Sequence, residues 1–129
     1  MKKAILFFLA LAATGFAENL VLDNQTAYPA PKTKIAVQWA LSAKEVDEGN
    51  RAAIHGLKLN PNSLQTLGQA GKIVLNIPQK AEYFRIVAWS KGQGEPDLLT
   101  NWVEIVPNKT YTLKADHLTP AVLLQWSGC

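Results

Sequence analysis

Apolar residues alternate along most of this chain instead of recurring every three or four positions, which is the spacing of strands with one buried face. Over residues 34–41, Ile35, Val37, Trp39 and Leu41 share one face, and Lys34, Ala36, Gln38 and Ala40 share the other. Leu20, Val21 and Leu22 predict a short opening strand. Tyr28-Pro29-Ala30-Pro31 lacks two ladder donors, so it reads as an edge or a crossing between sheets. Residues 72–77 place Ile73, Leu75 and Ile77 inward and stop at Pro78.

Residues 82–89 carry apolar groups on both faces, Phe84, Ile86 and Ala88 against Tyr83, Val87 and Trp89, with Arg85 among the latter. That predicts a central strand with one side on the core and the other beneath a loop or partner. Strands 102–106 and 110–113, joined by Pro107-Asn108-Lys109, predict a hairpin, and 121–126 a closing strand with Val122, Leu124 and Trp126 on one face. Between them, residues 43–50 read as one helical turn or a polar loop, 54–59 as a short strand and 63–67 as a helical or 3₁₀ turn; helix content is expected to be low.

About eight strands at roughly 8 to 12 residue spacing predict an all-β fold, an antiparallel immunoglobulin-like β-sandwich of about seven to nine strands. A small closed β-barrel is the alternative. The chain resembles exported immunoglobulin-like modules in pattern and not in motif, a likeness that implies no activity. With no cysteine pair to bridge the sheets, a tryptophan such as Trp39 or Trp89 is expected to fill that space.

The amino end changes the compartment. Lys2 and Lys3, an apolar run over 4–13 and Gly15-Phe16-Ala17 have the form of a cleavable signal peptide, residues 1–17. The run is too short to span a bilayer, so no stable membrane insertion is expected after cleavage. Residues 18–129 then form a single domain, periplasmic or extracellular, and the short Lys-Lys leader looks bacterial. The sequons at Asn24 and Asn108 are therefore expected to stay bare. The formal charge of +3 counts 13 basic and 10 acidic residues; losing Lys2 and Lys3 leaves 11 against 10. No basic cluster remains to follow a phosphate backbone, so nucleic acid is excluded as a partner.

Cys129 is the one cysteine, which rules out an internal disulfide; the expectation is an inert tail thiol, with an intermolecular disulfide, in a covalent dimer or with a partner, as the alternative. No spacing suited to a metal exists, and no cofactor is expected. His117 follows Asp116, but neighbours on an extended chain point to opposite sides, and no Gly-x-Ser-x-Gly elbow is present. Glu82, Glu95, Asp97 and Glu104 are candidates for a carboxylate pair on charge alone.

Binding has more support. Trp89 and Trp102 bracket the 90–101 loop, which also carries Leu98 and Leu99. These four are the candidate recognition patch, because loops on a rigid sheet commonly carry binding. The competing expectation is that the loop folds over the outer face of the central strand and buries them. Trp39 and Trp126 continue apolar faces and are expected in the core, with Trp102 the most exposed. The expectation is thus an exported, soluble, non-catalytic domain whose partner is another protein. A small hydrolase using His117 and carboxylates, a carbohydrate-binding module, and a subunit joined through sheet edges are the alternatives.

Overall fold

The computed structural model describes residues 18–122. Residues 1–17, read as a leader, the part beyond Val122 of the expected closing strand, with Leu124 and Trp126, and Cys129 lie outside the described residues.

Alternation builds the first sheet. In β1 (Asn19–Asn24), Leu20, Leu22 and Asn24 are buried while Val21 and Asp23 stay partly exposed. It pairs antiparallel with β4 (Gly71–Asn76), Leu20 opposite Leu75, and parallel with β8 (Thr110–Leu113), Leu22 opposite Tyr111. The larger sheet is centred on β2 (Lys34–Ala40) and β5 (Tyr83–Trp89), antiparallel over seven residues from Lys34 opposite Trp89 to Ala40 opposite Tyr83. β3 (Leu64–Thr66) flanks β2. On the other side β6 (Leu98–Leu99) and β7 (Val103–Glu104) both pair with β5, and β9 (Thr119–Pro120) pairs with β6.

The main core lies between the sheets. Leu20, Leu22, Leu75 and Leu113 meet Ile35, Val37, Trp39, Phe84, Ile86 and Ala88. Phe84 sits edge-on to Tyr111 at 5.0 Å between ring centroids. Trp39 is buried as expected, its Nε1 donating to Gln65 Oε1 at 3.2 Å. The protein is therefore mostly β, in two sheets with one helix, and among the described residues neither sheet closes into a barrel. The parallel β1–β8 pair corrects the expectation of antiparallel sheets throughout.

The largest departure is α1 (Ala43–Ile54), where a single turn or loop was expected. Its ends are specified locally. Ser42 Oγ accepts from Glu45 N at 3.3 Å and Glu45 Oε1 accepts from Leu41 N at 2.9 Å, a near relative of the capping box. Gly56, at φ +66°, closes the other end as Leu57 N donates to Ala52 O and Gly56 N to Ala53 O. The strand expected over 54–59 is consequently absent, since Ile54 ends the helix and the following residues turn away from it. Ser63 does end a short 3₁₀ turn, Pro61–Ser63, but Leu64–Thr66 is a strand.

The expected 102–113 hairpin is also corrected. β7 stays on β5, whereas beyond Pro107 the chain crosses to the other sheet: Asn108 N donates to Asn19 O at 2.7 Å and Val21 N to Lys109 O at 3.0 Å. Turn residues specify a reversal without specifying which sheet receives the next strand.

Candidate functional site

The outer face of the larger sheet, away from the main core, presents Ala36 and Gln38 from β2 and Arg85, Val87 and Trp89 from β5. Its apolar half is sealed: Ala36, Val87, Trp89, Leu59 and Leu99 form a second buried cluster beneath Ala52 and Ala53 of α1. The polar half is built around Arg85.

Arg85 is 1% exposed. Its Nε donates to Gln38 Oε1 at 2.7 Å, Nη1 to Asn50 Oδ1 at 3.1 Å and Nη2 to the carbonyl of Gly49 at 3.2 Å. The ring of Trp102 covers the guanidinium at 4.5 Å and donates its own Nε1 to Asn50 Oδ1 at 2.9 Å. Gly49 makes this approach feasible, because a Cβ there would stand 3.1 Å from Trp102 and 3.3 Å from Gln38 Nε2. Among the described residues three acceptors, all of them neutral, thus take three of the five guanidinium N–H groups.

All ten Asp and Glu side chains belong to the described residues, and none pairs with Arg85. Burial pushes its pKa down to about 10, so it remains a cation at neutral pH. A cavity of about 210 Å³ adjoins it, lined by Asn50, Arg85, Leu99, Thr100, Asn101, Trp102, Thr119 and Pro120.

The four residues expected to form the patch are divided by the fold. Trp89 and Leu99 are buried in the outer cluster, and Trp89 Nε1 donates to Gly94 O at 2.8 Å. Leu98, on the opposite side of β6, packs against the main core. Trp102 is half-buried, with Val103 and Ile105 turned toward that core. The 90–101 loop is pinned at its base by Asp97, whose carboxylate accepts from the backbone N–H and the hydroxyl of Ser90. Burial alone would raise the Asp97 pKa, but these bonds, with help from its own amide and Lys91, hold it below the ordinary range.

His117 lies in a 3₁₀ turn (Ala115–His117), and its Nδ1 accepts from Lys114 N at 3.0 Å. With Asp116 it borders a cavity of about 420 Å³ opening between the sheets, whose other walls include Phe84, Ile86, Tyr111 and Leu113. Glu82, Glu95, Asp97 and Glu104 are not assembled with it in that cavity. Among the described residues no cluster of three or more His, Cys, Asp or Glu could hold a metal, and no helix is long and apolar enough to cross a membrane.

Sequence reasoning passed over Arg85, Gln38, Asn50 and Gly49. The available signal was a single charge in the middle of a strand apolar on both faces. No protein-family model, curated protein or solved structure matches the chain.

Proposed function

We propose that the chain is an exported, non-catalytic binding domain that engages a partner protein where Trp102 and the Thr100-Asn101 segment meet α1. The observation that carries this reading is the way Trp102 is held. One ring face rests on Arg85, the indole N–H is fixed by Asn50, and the ring still reaches solvent beside a cavity. A large aromatic fixed before contact loses little freedom on binding, which is the property of an interface anchor.

Export rests on the leader-like sequence of residues 1–17, which supports a periplasmic or extracellular domain, a compartment that permits an intermolecular disulfide at Cys129. The immunoglobulin-like assignment is supported by strand order: β1 pairs with β4 and β2 with β5, and the chain changes sheet from β1 to β2 and again from β4 to β5. The parallel β8 on β1 is a departure from that plan.

The mature protein, recovered from its native host, identifies the partner, and titration then compares wild type with Asn101→Glu. Asn101 is exposed and its side chain makes no hydrogen bond among the described residues, so the fold should be kept. The expected result is a loss of about tenfold or more in affinity at unchanged thermal midpoint. Unchanged affinity would overturn the reading.

A further inference from the structure

We infer that the cavity beside Arg85 and Trp102 is a binding site for a carboxylate group. Its walls supply the components such a group needs. Arg85 is fully enclosed, charged, and after bonding Gln38, Asn50 and Gly49 retains two N–H groups with no partner among the described residues. Every acceptor it has among the described residues is uncharged, so there the enclosed charge is solvated by dipoles alone, an arrangement that an incoming anion improves.

The shape of the site selects among anions. A guanidinium offering two remaining donors in one plane matches the two oxygens of a planar carboxylate. A doubly charged phosphate would face a single cation and the apolar surfaces of Leu99, Pro120 and Trp102. At about 210 Å³ the space accommodates a short acid or the end of an acidic side chain, not a large ligand. Trp102 covers the guanidinium and limits water access to it, which strengthens the attraction between the charges.

The other polar groups in the wall are already committed. Thr100 Oγ1 accepts from Ile86 N and donates to Asn101 O, and Thr119 Oγ1 donates to Leu99 O. Among the described residues the uncommitted side chain is that of Asn101 at the rim, whose amide N–H groups can donate to a carboxylate oxygen. Recognition therefore divides between a buried cation and a neutral donor at the mouth.

The proposal rests on the same face as the protein-binding reading and names the chemistry of what enters it. The group arrives either on a small free acid or on a Glu, Asp or C-terminal carboxylate of the partner protein. The experiment follows the indole N–H resonance of Trp102 in the mature protein, assigned by its loss in Trp102→Phe. Acetate, succinate, N-acetyl-glutamate amide and N-acetyl-alanine are titrated in separate arms at constant ionic strength, against chloride and inorganic phosphate.

The expected result is a saturable shift with the carboxylates alone, weakened about tenfold in Asn101→Asp, whose added charge repels the ligand while the Arg85 bonds stay intact. Preference for succinate or acetate over the two amino-acid derivatives assigns the site to free acids, and the reverse assigns it to a protein carboxylate. A shift that is absent, or equal with chloride, would show that Arg85 only ties α1 to the sheet and would overturn the proposal. No partner is needed, so a failure here leaves the Asn101→Glu affinity test standing, and a failure there leaves this one standing.

Discussion

Trp102 and Arg85 share a single acceptor: the indole N–H and a guanidinium N–H both donate to Asn50 Oδ1, at 2.9 and 3.1 Å, while the ring covers the cation at 4.5 Å. Through that oxygen the loop following β6, the centre of β5 and the middle of α1 are tied together. Substitution at Trp102 should therefore be felt in both stability and recognition. Trp102→Phe removes the bond to Asn50 and keeps most of the ring, costing about 1 kcal/mol, whereas Trp102→Ala also uncovers Arg85 and should cost about 2–3 kcal/mol. Urea unfolding of both variants checks the order, and equal losses would mean that the ring contributes little beyond its hydrogen bond.

Arg85 is the more demanding position. Arg85→Met preserves much of the volume but removes the donor to Gln38, Asn50 and Gly49, leaving Asn50 Oδ1 with the bond from Trp102 alone. The expected cost is about 3 kcal/mol, with α1 the first element to loosen in hydrogen exchange. A variant of wild-type stability would mean that the polar cluster is not what holds the helix to the sheet.

Gly49→Ala reverses the usual helix rule. Alanine normally stabilises a helix interior by about 1 kcal/mol over glycine. At Gly49 the new methyl would stand 3.1 Å from Trp102 and 3.3 Å from Gln38 Nε2, both fixed by other bonds, so a net loss of about 1 kcal/mol is expected. A raised denaturation midpoint would show that these side chains yield easily.

Asp97 gives the fold a dependence on pH. Its carboxyl is held below the ordinary range in the folded state, so its ionised form stabilises the protein above the unfolded pKa, and that contribution is lost as pH falls through the folded one. Asp97→Asn should be less stable than wild type at neutral pH, and the gap should close as pH falls below about 4. Thermal unfolding of both proteins across that range checks the sign; a constant gap would contradict it.

The strands were legible because their information is local. Ile35, Val37 and Trp39 point inward in the register that alternation predicts, and the two apolar faces of 83–89 do lie on a core and beneath covering elements. The helix was less legible because its contact face is Gly49, Ala52 and Ala53, small residues that give a weak apolar signal, and its strongest marks are the caps at Ser42, Glu45 and Gly56. Strand partnership was not legible at all where it depends on which sheet receives the chain, as for β8. The candidate site falls between these cases: Trp102 was visible as a loop aromatic, but the charge beneath it depends on a pairing, Gln38 opposite Arg85, that exists only once β2 and β5 are side by side.

The proposed partner protein is met on the outer face of the larger sheet, at Trp102. Hydrogen–deuterium exchange of residues 18–129 with and without the protein that co-purifies from the native host tests this most directly. Protection concentrated over residues 97–102 and the facing turns of α1 is the predicted result. Protection confined to the three-stranded sheet of β4, β1 and β8, with the Trp102 segment unchanged, would contradict it.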